Sequence, residues 1–197
     1  WPSSFSNWHR LPLILGGVGL LSTAFCCLPS RVRRWFAPLG LGAFAGAFGA
    51  FPDMDSSDQC LLGLSVVASV KRWMLASEAT LGRLVGLGAW VSCVALAPMA
   101  LDGGFTTLMI LSASGATIAG ALVLAPQALV AGGGGAMLLG AMVPLLAWCG
   151  FSYDYAEAPW WQWAGVAGLP VAIIVFFDPH PTPEGQARSE EHTSELQ

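Results

Sequence analysis

Charged side chains are what this chain has least of: 10% of its 197 residues, against roughly a quarter in an ordinary soluble protein. Residues 84–153 contain a single one, Asp102. A stretch that long with one charge cannot face water as the surface of a soluble domain, and the mean hydropathy of +0.63 makes lipid the matching solvent. The expected fold class is all-α, a polytopic transmembrane helical bundle. Other absences narrow the function. A net charge of −4 with scattered basic residues leaves no electrostatic footprint for nucleic acid. No histidine lies between His9 and His180. The segment Ser112-Ala113-Ser114-Gly115, superficially a serine-nucleophile motif, therefore has no histidine to act as its base. No HExxH motif, metal-ligand cluster or phosphate-cradling loop occurs. An enzyme is not expected, nor a cofactor or bound metal, and Ser112 and Ser114 read as small interhelical hydrogen bonders. Cys26, Cys27, Cys60, Cys93 and Cys149 fit neither zinc spacing nor a disulfide framework. They read as small residues packed between helices.

What is present is a succession of apolar segments. Residues 1–10 form a polar lead, with Trp8 and His9 near the membrane interface. Residues 11–28 are just long enough to cross a hydrocarbon core of about 30 Å, and longer than the roughly 7–15 residues of a signal-peptide core. Residues 35–51 form a second span in which Gly42 and Gly46 have small-xxx-small spacing, allowing another helix to approach backbone to backbone. Residues 52–59 (PDMDSSDQ) are a short acidic loop. Within the block 84–153, turn signals divide helices at 84–101, 105–125 and 136–151. The turn Asp102-Gly103-Gly104, Pro126 and a run of four glycines mark the divisions, and Pro144 predicts a kink. Trp160, Trp161 and Trp163 anchor a last span that runs to Phe177 through Pro170. Neighbouring helices can re-satisfy the carbonyl that a proline frees.

Residues 60–76 are ambiguous, because Lys71 and Arg72 interrupt them; the segment either spans, with those side chains snorkelling, or lies at the interface. Loop charges arbitrate. If it spans, Arg31, Arg33, Arg34, Lys71, Arg72 and Arg83 fall on one side. Asp53, Asp55, Asp58, Asp102, Asp154 and Glu157 then fall on the other. If it does not span, that separation collapses. The spanning reading gives seven spans, with the N-terminus on the acidic side. The bundle then occupies residues 11–178 and a polar tail 179–187. Residues 188–197 (RSEEHTSELQ) read as the conceptual translation of a sequencing adapter, and the start at Trp1 without a methionine reads as that of a fragment.

Few residues are placed to do chemistry. Asp102, beside two glycines, reads either as a turn former or as an ion or proton ligand. Asp154 and Glu157 read as solvated loop charge or a cation-attracting vestibule. Asp178 ends an otherwise uncharged helix directly after residues 173–177. It is either a functional ionisable group at membrane depth or an aspartate just past the membrane edge. At depth, desolvation would raise its pKa and make its charge depend on pH. His180 reads as a loop residue.

The order of these motifs carries a resemblance. Ala97-Pro98, Gly103-Gly104, a Gly/Ala-rich helix ending Ala125-Pro126, a further glycine-rich span and a helix ending Phe176-Phe177-Asp178 together resemble the Bax-inhibitor-type transmembrane family, in its mitochondrial growth-hormone-inducible transmembrane branch. The likeness covers residues 84–180. It implies a helical bundle in the mitochondrial inner membrane or an endomembrane that leaks Ca²⁺ or exchanges it for protons according to pH. In that family two aspartates share a proton and gate the pore. Asp178 matches the first, and the second would lie beyond Ala187. The family has Thr-Gln after this aspartate, where Pro179 and His180 stand here. Lipid, Ca²⁺ and protons are then the partners. The readings that compete with a Ca²⁺ pathway are half of a larger secondary transporter, or a non-transporting membrane scaffold or assembly factor.

Overall fold

The computed structural model describes residues 10–49, 51, 54–78, 82–124, 133–153 and 158–177. These residues form seven helices and no strands: α1 (Arg10–Cys26), α2 (Ser30–Phe48), α3 (Ser56–Glu78), α4 (Gly82–Asp102), α5 (Thr106–Leu124), α6 (Gly134–Ser152) and α7 (Trp160–Phe177). The all-α expectation holds. Among the described residues, α5 and α6 are each long and apolar enough to cross a membrane; α1 and the part of α4 from Gly86 are apolar but shorter.

The helix α6 is the axis, and it packs against all six others. From Ala136 to Gly150 its residues are buried on every side, with only Leu138 and Trp148 partly exposed. A helix that is apolar all round needs such an envelope. The others follow one another round it in the order α1, α2, α3, α7, α4, α5, each sharing a seam with the next.

Small residues set how closely the seams approach. A Cβ at Gly63 of α3 would stand 2.9 Å from the Gly42 carbonyl oxygen and 3.6 Å from the Gly46 Cα of α2. The partner that Gly42 and Gly46 await is thus α3. On the axis, a Cβ at Gly140 would stand 3.0 Å from the Val70 Cα of α3, and Gly150 receives the ring of Trp163.

Several helix boundaries depart from the sequence reading. The three arginines expected in a loop before 35 lie inside α2, whose first turn closes when the Arg33 N–H donates to the Pro29 carbonyl at 2.9 Å. Hydropathy marks where a chain leaves lipid, not where its helix begins. The acidic loop 52–59 is likewise partly helix. Asp55 caps α3: its Oδ1 accepts from the Asp58 N–H at 2.9 Å, and the Asp58 carboxylate accepts from the Asp55 N–H at 3.3 Å. That reciprocal pair is a capping box with aspartate in both places, and it starts α3 a turn earlier than apolarity alone predicts. Between α4 and α5 the turn is made by Gly104 rather than Asp102. Gly104 has φ +81°, its N–H donates to the Leu101 carbonyl, and the Phe105 N–H donates to the Ala100 carbonyl at 2.7 Å. This is a Schellman closure, with the buried Phe105 as its apolar plug. The helices α2, α4, α6 and α7 run on through Pro38, Pro98, Pro144 and Pro170.

Candidate functional site

The residue singled out by sequence, Asp178, lies outside the described residues, as do His180, Asp53, Asp154 and Glu157. The structure describes the helix that leads to it. Pro170 has no N–H, so within α7 the Val166 carbonyl four residues earlier has no helical donor. The Ser92 hydroxyl of α4 donates to that carbonyl at 2.9 Å, and Ser92 is fully buried. The proline was legible in sequence as freeing a carbonyl, but which residue answers it was not. This bond ties α7 to α4, from the buried Ser92 to the half-buried Val166.

The other serines behave differently from expectation. Ser114 faces outward and donates to Ile110, in its own helix, at 2.8 Å. Ser112 is buried and its hydroxyl meets no partner among the described residues. Neither bonds across helices; Ser114, one turn from a carbonyl of its own helix, reaches that one instead. Of the cysteines, Cys93 and Cys149 pack between helices, Cys26 is half-buried, and Cys27 and Cys60 face outward; none of the five forms a disulfide. Asp102 is exposed at the end of α4, and its carboxylate meets no partner among the described residues.

Charge divides between the two ends of the bundle. At one end Tyr153, closing α6, stacks edge-on to Phe51 at 6.4 Å and to Phe105 at 5.4 Å, joining the α2–α3 and α4–α5 connections. Asp55, Asp58 and Asp102 lie at this end, and so does Arg10 at the start of α1. The Asp55 carboxyl is held below its ordinary pKa, first by the Asp58 N–H and then by the Ser57 hydroxyl. At the other end Arg33 donates to the Cys26 carbonyl at 3.5 Å and lies against Gly133 at the start of α6. Leu122 meets Gly135, and Val123 meets Gly86, which brings the start of α4 and Arg83 to the same end. The Lys71 ammonium sits 5.0 Å from the centre of the Trp35 ring, so α3 brings Lys71 and Arg72 beside Arg31, Arg33 and Arg34. Asp55, Asp58 and Asp102 thus lie opposite these basic residues, as the spanning arrangement of residues 60–76 expects, while Glu78 ends α3 at the basic end and Asp53, Asp154 and Glu157 lie outside the described residues.

Between α6 and α7, near the acidic end, lies one further feature. It is a cleft of about 150 Å³ lined by Ala147, Trp148, Phe151, Trp160, Trp163, Ala164 and Ala167. It has no ionisable lining. Among the described residues no three His, Cys, Asp or Glu side chains come together as metal ligands. No family model, curated protein or solved structure matches the chain.

Proposed function

We propose that the chain is an integral membrane protein whose seven helices all span the bilayer around α6, and that it passes a cation, Ca²⁺ by the resemblance, under control of pH. The observation that carries the membrane reading is an apolar outside on an apolar inside. Large apolar side chains are exposed on every helix described, among them Leu20, Phe36, Leu64, Trp90, Ile118, Phe151 and Trp160. The peripheral α5 shows it most plainly: only 28% of its apolar stretch is buried, against 72% in α6, yet it carries no charge. In water such a surface would exceed the few hundred Å² of contiguous apolar patch that a soluble monomer tolerates. The outward hydroxyls fit the same solvent. Thr23, Ser114 and Thr117 each donate to the carbonyl one turn back, at 2.9, 2.8 and 3.0 Å, and so need no water.

The cation reading rests on Asp178 following α7 directly, and on its place in the motif order. A carboxylate there is a hard oxygen ligand of the kind Ca²⁺ prefers, and a carboxyl that shares a proton with a second one titrates near neutral pH. The membrane would be the mitochondrial inner membrane or an endomembrane. Flux of Ca²⁺ into liposomes holding the chain, measured against pH, tests this reading; Asp178→Asn should abolish the pH dependence, and unchanged flux would remove the role of Asp178. One observation favours a second reading, a non-transporting scaffold or assembly factor. Among the described residues the interior holds four buried serines, Ser22, Ser69, Ser92 and Ser112, and no ionisable side chain other than the thiols of Cys93 and Cys149. That reading predicts no flux at any pH and a stable protein partner on pull-down.

A further inference from the structure

The cleft at the acidic end of the bundle has a lining that restricts what it can hold. It lies where α6 ends and α7 begins. Trp160, Trp163, Ala164 and Ala167 share one face of α7, and Ala147, Trp148 and Phe151 meet them from the last turns of α6. Trp163 is drawn onto Gly150, where a Cβ would overlap its ring. The buried Ala147 and Trp163 make the inner end, and the exposed Trp160 and Phe151 make the mouth. The alanines keep the space open, since a longer side chain at any of them would enter it. The rings of Trp148 and Phe151 stand at 86° with centroids 6.4 Å apart, so two of the walls meet as a corner.

No carboxylate, hydroxyl or amide side chain reaches this lining. A ligand group bearing N–H or O–H would therefore be buried without acceptors, which is costly, and an anion would meet electron-rich rings. What fits is hydrocarbon, or a cation that carries no N–H. Charge decides between them. Aromatic rings attract a cation held within about 6 Å of their centres, and quaternary ammonium groups are bound in this way. Asp55 and Asp58 open α3 and Asp102 closes α4, the two helices that flank α7, so their carboxylates add a negative field at this end. Arg10 starts α1, across α6 from α7. The carbonyl end of α6 and the N–H end of α7 lie side by side and offset each other. The volume of about 150 Å³ matches that of an apolar cavity that holds benzene, whose bulk is close to that of a trimethylammonium group.

We propose that this cleft binds the trimethylammonium group of a choline phospholipid headgroup. The proposal rests on the membrane reading above, which puts the opening turn of α7 at headgroup level, and it names a lipid that reading leaves open.

The full chain in maltoside micelles tests the chemistry. Saturation-transfer NMR follows the methyl protons of two probes: choline, and its neutral isostere with a tert-butyl group in place of trimethylammonium. Choline should bind about tenfold more tightly, the sum of two or more ring contacts of exposed strength. Trp160→Leu and Phe151→Leu keep apolar bulk at the mouth and remove a ring each. Either alone should lose part of the preference, and together they should bring the probes within about twofold of each other, whereas Trp160→Phe should keep it. Ala164→Leu should weaken both probes by filling the cleft. All three positions are exposed, so the fold is spared. Vesicles of equal parts phosphatidylcholine and phosphatidylethanolamine, whose headgroups differ only in N-methylation, test the source. Lipid retained on the chain after mild extraction, counted by mass spectrometry, should be enriched severalfold in phosphatidylcholine, and less so in Trp160→Leu. Equal binding of the two probes to the wild type, or a choline preference that survives the double variant, overturns the proposal. Choline preference in micelles without phosphatidylcholine enrichment overturns the lipid as occupant. A chain that fails to float with the vesicles once detergent is removed overturns the membrane reading itself, and the micelle measurement decides the chemistry of the cleft independently of it.

Discussion

Replacing Ser92 by alanine removes the one donor that reaches the Val166 carbonyl, which Pro170 has already deprived of its helical partner. A buried carbonyl left unpaired costs about 1–3 kcal/mol, and interhelical bonds in membrane proteins fall at the low end, roughly 0.6–1.7 kcal/mol. A loss of about 1–2 kcal/mol is therefore expected for Ser92→Ala. In a chain of this size that lowers Tm by about 2–4 °C for each kcal/mol. The informative variant is the double one. Pro170→Ala restores an N–H at position 170, which returns the ordinary donor to Val166. In that background Ser92→Ala should cost little, under about 0.5 kcal/mol, because no carbonyl is orphaned. Reversible unfolding in detergent micelles of the wild type, both single variants and the double variant gives the coupling directly, and it should be about 1 kcal/mol or more. If Ser92→Ala costs the same with and without Pro170, the serine is not answering the proline.

Three further outcomes are expected. Gly63→Ala, whose Cβ would meet the Gly42 carbonyl oxygen at 2.9 Å, should cost about 1–3 kcal/mol by forcing α2 from α3, while Gly19→Ala, with nothing within 4 Å, should be neutral or slightly stabilising by the same unfolding assay. Gly104→Ala has no neighbour to meet and should lose about 1–2 kcal/mol from backbone strain alone, since φ is +81° there; comparison with D-alanine installed by semisynthesis, expected to lose nothing, isolates that term. Because the Asp55 pKa is lowered in the folded chain, its cap contributes fully above the ordinary carboxylate value, near 4, and is lost as pH falls through the lowered one. Amide exchange at Asp58 should therefore quicken across that acidic window in the wild type and stay level in Asp55→Asn, which caps without titrating.

How much was legible in the sequence depended on the scale of the signal. The helices were readable because apolar runs, prolines and glycine turns act over a few residues, and α7 matches the expected 160–177. The ends of α2 and α3 were misplaced because arginines and aspartates stop a hydropathy plot without stopping a helix. The Asp55-x-x-Asp58 spacing carries a cap signal within what reads by composition as an acidic loop. Contacts between distant segments had no local trace. Nothing near Ser92 announces Val166, 74 residues away, and nothing near Phe51 announces Tyr153. The opposition of Asp55, Asp58 and Asp102 to the arginines of α2 and to Lys71 and Arg72 needs only the direction of each helix, which loop charges carry. Asp178 itself, the one residue chosen for chemistry, falls outside the described residues.

The central position of α6 has a consequence for how the chain is made. Five of its six neighbours are synthesised before it, so the ribosome delivers a surrounding wall whose axle does not yet exist. Until Gly140 has emerged, Val70 lacks the backbone against which it finally packs. Assembly is thus held open until α6 has emerged, and a chain halted before Gly134 should be a client of protein quality control, however sound each of its helices is alone.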